Sequence, residues 1–274
     1  MAASALLRAA DTAPERELVS RPRPERDLAV RLTAVTKVFG QGGGALVALD
    51  GIDLEVGRGE FLCVVGASGC GKSTLLSLIA GLERPSAGSV DLAGNRTALM
   101  FQEAALLPWL TVERNIDLPL RLQRVPREQR NERVASLLSL VHLDGFGRRR
   151  PHELSGGMRQ RVALARALAQ QGDVLLMDEP FASLDAITRD ILHEDLERIV
   201  ASTGVTVVFV THNVREAVRL GDRVVLMTSR PGRVGDIIEI DFARPRRIED
   251  TDVAAVAREI TDLLRVEIGR HGRH

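Results

Sequence analysis

Two kinds of apolar patterning divide this chain. Ala29–Val35 and Ala45–Val56 alternate apolar and polar residues on either side of Gly40-Gln41-Gly42-Gly43-Gly44, which predicts half-buried antiparallel strands joined through a flexible turn. Phe61–Val65, Val174–Met177, Val205–Val210 and Val224–Met227 are unbroken apolar runs, as expected for parallel strands covered on both faces. Ser73–Gly81, just after the first of these, predicts a helix. Between about Gln102 and Ala169 nothing has strand character, and Glu132–Val141 and Gly157–Ala169 read as helices. Near the end, Val253, Val256, Ile260, Leu263 and Leu264 recur at helical spacing, with Asp252 as the expected N-cap. The order predicts a strand-rich start, a helical insertion and a return to α/β.

Composition adds a boundary and several exclusions. From Met1 to about Asp27 the chain mixes arginine, glutamate and proline with few large apolar groups, so a disordered tail over residues 1–28 is expected. The main domain then spans 29–245, with a helical subdomain over about 102–169, and 246–274 form a C-terminal helical extension. The 37 basic and 37 acidic residues cancel, which leaves no net field to draw nucleic acid. Cys63 and Cys70 offer neither a disulfide framework nor metal spacing and read as reduced thiols. No apolar stretch approaches a membrane span, and Leu6-Leu7 is too short for a secretory h-region.

The chemistry sits at the ends of the apolar runs. Gly66-Ala67-Ser68-Gly69-Cys70-Gly71-Lys72-Ser73, followed by Thr74, joins a predicted strand to a predicted helix. Glycines there let successive backbone N–H groups converge on phosphate oxygens, and the helix adds its positive end. Lys72 would reach the β- and γ-phosphates and Ser73 would ligate Mg²⁺. Asp178 and Glu179 end a second buried run, where open α/β sheets bind ligands. His212 follows a third. Alone, each has an ordinary reading as a cap or a solvated strand end.

Between these elements lies Leu154-Ser155-Gly156-Gly157-Met158, and its position decides the reading. Together with its continuation through Ala167, the phosphate loop before it and the paired carboxylates after it, the chain resembles the ATP-binding subunit of an ABC transporter, from about Leu32 to about Pro245. The resemblance implies a P-loop NTPase core with an antiparallel β-subdomain and an inserted α-helical subdomain. It implies ATP and Mg²⁺ as ligands, with Asp178 and Gln102 beside Ser73 at the metal. Glu179 would polarise the attacking water, His212 would contact the γ-phosphate, and Phe39 would stack on adenine. Ser155, Gly156, Gly157 and Asp185 would act in trans, on nucleotide bound by a second copy. Here Asn213 follows the histidine where the family usually has Asp, and Ser183 stands before Leu184 in place of Ala.

Finer features are similar to the nitrate/sulfonate/taurine importer group: Phe101-Gln102-Glu103, Leu106-Leu107-Pro108-Trp109, Pro151-His152 and Met158, although Ala104 replaces a proline. This resemblance implies transmembrane permease subunits as partners, with a periplasmic or extracellular solute-binding protein reached through the complex. The chain would lie peripherally at the cytoplasmic face of the inner membrane. Leu106, Leu107 and Trp109 either line a groove for the permease or pack within the helical insertion. A soluble ABC-type ATPase with no transport role is the alternative, and a small-molecule P-loop kinase leaves the LSGGM run and His212 unexplained.

Overall fold

The computed structural model describes residues 27–40 and 44–271. In chain order the strands are β1 (Leu28–Phe39), β2 (Leu46–Gly57), β3 (Phe61–Gly66), β4 (Ala87–Asp91), β5 (Thr97–Met100), β6 (Val174–Asp178), β7 (Thr206–Val210), β8 (Arg223–Met227) and β9 (Val234–Glu239). The helices are α1 (Lys72–Ile79), α2 (Val112–Leu122), α3 (Arg127–Leu140), α4 (Gly156–Leu168), α5 (Ala186–Thr203), α6 (Val214–Leu220) and α7 (Thr251–His271). The alternating segments pair as expected, giving an antiparallel sheet in the order β2-β1-β4. The unbroken runs form a second sheet, β5-β6-β7-β3-β8-β9, parallel except for β9.

The twofold alternation of a strand explains why the runs must be apolar throughout. Phe61, Cys63 and Val65 of β3 face one core, shared with α2, α4, α5 and α6. Leu62 and Val64 face the other, shared with α1 and the antiparallel sheet. A polar residue anywhere on β3 would therefore be buried on one side or the other.

Several elements differ from expectation for identifiable reasons. Strands β4 and β9 have no sequence signature because each is an edge whose residues are mostly exposed or half-buried. Helix α5 buries His193 and Asp195 beside Leu192, Leu196 and Ile199, so polar residues interrupt its apolar stripe. Asp252 is not the N-cap of α7. It lies in the first turn, while the Asp250 carbonyl accepts from the Ala254 amide at 2.9 Å, making Asp250 the capping residue. Of the expected tail, residues 1–26 lie outside the described residues, whereas Leu28 opens β1 and Asp27 pairs with Arg58 at 2.9 Å. The glycine-rich turn also falls largely outside them, at 41–43.

The end of the chain returns to the core. Arg246 is buried, and its guanidinium donates to the carbonyls of Val218 at 3.0 Å, Gly221 at 2.5 Å, Ile240 at 3.0 Å and Phe242 at 2.8 Å. Helix carbonyls left over at the C-terminus of α6 thus find donors from a residue far along the chain. Val253, Ala257 and Ile260 of α7 complete the contact by joining the same core as α6.

Candidate functional site

The adjacent order β6-β7-β3 brings three strand ends side by side. The phosphate loop leaves β3 at Gly66 and enters α1 at Lys72. Gly71 has φ +101°, and a Cβ there would stand 2.6 Å from Leu49 Cδ2 and 2.9 Å from the Ala48 carbonyl oxygen. Only glycine fits that approach. The buried Lys72 folds back along the loop, its Nζ donating to the carbonyls of Gly66 at 2.9 Å and Ala67 at 3.1 Å. Ser68, Gly69 and Ser73 are exposed, Ala67 and Thr74 half-buried, and Cys70 buried. Burial pushes the Cys70 thiol up, against the opposing charge of Lys72.

Asp178 closes β6, near enough to the Ser73 hydroxyl for that group to act on its carboxyl. Burial raises its carboxyl above the usual range; Glu179 adds to this, while Ser73 and Lys72 work against it. Two hard oxygen donors side by side next to a phosphate loop suit Mg²⁺, which needs few protein ligands when phosphates supply the rest. The described residues hold no cluster of three His, Cys, Asp or Glu side chains fit for a metal.

Glu179 follows with φ +44°, unusual for a residue with a side chain. Its amide donates to the Val210 carbonyl at 2.9 Å, extending the β6–β7 ladder by one bond. This turn points its carboxylate across the strand ends, where Oε2 lies 2.9 Å from His212 Nδ1. Asn213 then caps α6, its Oδ1 accepting from the amides of Arg215 at 3.1 Å and Glu216 at 3.4 Å. The departure from Asp at that position is therefore a substitution of one good capping residue for another.

The remaining sequence-identified residues lie on other elements. Phe39 ends β1, exposed, with Lys37 Nζ 4.9 Å from its ring centroid. Gln102 is exposed, and its backbone carbonyl accepts from the Gln160 side chain of α4 at 2.9 Å. Ser155 caps α4, its Oγ accepting from the Met158 amide at 3.3 Å. Asp185 caps α5 through the Thr188 amide at 3.0 Å, a bond that holds its carboxyl below the usual range. Gly156 and Gly157 pack against this second cap: a Cβ on Gly156 would be 3.7 Å from Leu184, and one on Gly157 would be 2.5 Å from the Thr188 methyl. The phosphate loop, Asp178, Glu179 and His212 thus form one group, and the two helix caps Ser155 and Asp185 another.

Some residues around the site carry no linear signature. Arg166 of α4 donates to the carbonyls of Ala104 at 2.9 Å and Ala105 at 2.7 Å, so α4 grips the chain just after Gln102. The turn 228–232 lies against the phosphate loop: Arg230 Nε is 3.5 Å from the Gly69 carbonyl oxygen. Pairings separated by more than sixty or a hundred and sixty residues leave no periodic trace in a sequence.

Known proteins resemble this chain along most of its length. The family profile described as ABC transporter matches residues 49–182. An uncharacterised ABC transporter ATP-binding protein of Methanocaldococcus jannaschii is 43% identical over 255 residues, covering 90% of this chain and 96% of the relative. The taurine import ATP-binding protein TauB of Burkholderia pseudomallei is 46% identical, covering 77% of this chain and 84% of its own. The bicarbonate transport ATP-binding protein CmpC of Synechococcus elongatus is 48% identical over 76% of this chain, which spans 33% of that longer protein. Among solved structures, the ATP-binding cassette MJ0796, in a dimeric post-hydrolysis state bound to ADP and Pi, superposes with a TM-score of 0.70 at 32% identity, covering 78% of this chain and all of the other. The chain belongs to the ABC transporter ATP-binding proteins, ATP-binding subunits whose hydrolysis of ATP is coupled to transport.

Proposed function

We propose that this chain powers an importer for a small anion or zwitterion of the nitrate, bicarbonate, sulfonate or taurine kind. The names of its relatives support that class, and they favour it over an ABC-type ATPase without a transport role. Lys72 and the amides from Gly66 to Thr74 bind the phosphates, with Phe39 against adenine. Ser73, Asp178 and Gln102 hold Mg²⁺, which when bound supplies charge neutralisation at the β- and γ-phosphates. Glu179 orients the attacking water, and His212, hydrogen-bonded to it, contacts the γ-phosphate. In-line phosphoryl transfer asks the protein mainly for positioning and charge.

The second group completes a neighbouring copy's site. Ser155, Gly156 and Gly157 present the N-terminus of α4, which favours an anion, and Asp185 lies beside it. Two copies closing on two Mg·ATP would drive permease subunits, with a solute-binding protein delivering cargo, from the cytoplasmic face of the inner membrane. Among the described residues no helix is long and apolar enough to cross a membrane.

The observation that carries the reading is the convergence of the phosphate loop, the Asp178–Ser73 pair and the Glu179–His212 pair at neighbouring strand ends. Glu179→Gln is the test. It should slow turnover by at least about a hundredfold while an ATP-bound dimer accumulates on size exclusion. Normal turnover in that variant would remove Glu179 from its role.

A further inference from the structure

Behind His212 runs a buried polar chain that the nucleotide chemistry does not touch. Thr211 is 2% exposed; its hydroxyl donates to Glu216 Oε2 and accepts from the Asn213 amide at 3.0 Å. Glu216, 5% exposed on α6, meets His193 Nε2 through its other carboxylate oxygen at 2.6 Å. His193 is wholly buried on α5, with its ring edge-on to Phe181 at 5.6 Å between centroids. Its Nδ1 has no hydrogen-bond partner among the described residues, and the Asp190 carboxylate stands 3.9 Å away.

An imidazole bonded through one nitrogen only is an expensive way to fill a core, because its second nitrogen loses water without replacement. A leucine would fill the space between Phe181 and α6 more cheaply. What the imidazole adds is a fixed partner for the Glu216 carboxylate. That carboxylate in turn fixes the Thr211 hydroxyl, and the hydroxyl holds the Asn213 amide. Both neighbours of His212 in the chain are therefore set by one buried carboxylate, itself set by His193.

We propose that His193 is a positioning residue for His212, acting through Glu216 and Thr211. The inference rests on the reading of His212 as the γ-phosphate contact. Because His193 lies on the helix capped by Asp185, it also ties the placement of His212 to the element that faces the second copy.

A double-mutant cycle on the full-length chain tests this, with kcat and KM for ATP measured for His193→Ala, His212→Ala and both together. His193→Ala should lower kcat about tenfold with KM within about twofold, since small misplacements of a positioned group cost rate rather than ground-state binding. In the His212→Ala background the same change should cost nothing further, and His193→Gln, whose amide can still donate to Glu216, should recover most of the loss. If His212→Ala lowers kcat but the two losses multiply, His193 does not act through His212 and the proposal fails alone. If His212→Ala has no effect, the reading of His212 fails and takes the proposal with it. Should His193→Ala not fold, Thr211→Val removes the other end of the chain at nearly constant volume. The same absence of further loss is then expected, and multiplying losses would again overturn the proposal.

Discussion

Glu179 holds a backbone conformation that its side chain alone would not choose. A φ of +44° is mildly strained for any residue with a Cβ, yet here it turns the carboxylate from the end of β6 towards His212. Strain of this kind has a measurable counterpart. Glu179→Gly should leave the melting temperature unchanged or slightly higher, because relief of up to about 1 kcal/mol offsets the extra freedom of glycine in the unfolded chain. The same variant should lose turnover as thoroughly as Glu179→Gln. Calorimetry and an ATPase assay on one sample check both; a clear fall in melting temperature would mean that the turn is not strained.

Helix α4 connects the second group of the site to the segment that follows β5. Its first residues pack against Leu184 and Thr188 beside the α5 cap, while Gln160 and Arg166 hold the carbonyls of Gln102, Ala104 and Ala105. Gly157 therefore has a packing duty within the chain as well as its proposed duty in trans, and the two can be separated. Gly157→Ala should destabilise the protein by roughly 1–2 kcal/mol through its clash with the Thr188 methyl. Adding Thr188→Ala should restore the melting temperature but not ATP turnover, if Gly157 also meets the partner's nucleotide. Recovery of both would reduce Gly157 to a packing role. None of this intrachain packing was readable beforehand. The strand-ending motifs were legible because burial on both faces forces an apolar run and a phosphate loop needs glycine and lysine at fixed spacing. The buried faces of α5 and α6 were not, because His193, Asp195 and Glu216 break the apolar stripe and find partners on other elements, His193 on Glu216 and Asp195 on Arg161.

Across the molecule, exposed apolar side chains are candidates for contacts with other chains. Trp109 is 68% exposed, whereas Leu106 packs against the core. The loop that presents Trp109 is held firmly: the buried Asn115 side chain accepts from the Leu107 amide at 2.9 Å and donates to the carbonyls of Leu107 at 3.2 Å and Thr111 at 2.9 Å. An aromatic side chain on a rigid loop loses little entropy on docking, which suits an interface anchor. Trp109→Ala should keep ATP affinity within about twofold and abolish co-purification with the membrane subunits; assembly at wild-type yield would place the permease contact elsewhere. The opposite end of the chain carries a different lesson. Since the Arg246 guanidinium donates to the carbonyls of Val218, Arg219 and Gly221 at the end of α6, the C-terminal residues are stitched to the helix that starts beside His212. A truncation drawn ahead of that arginine would unpick the seam and slacken the backing of the strand end that carries His212.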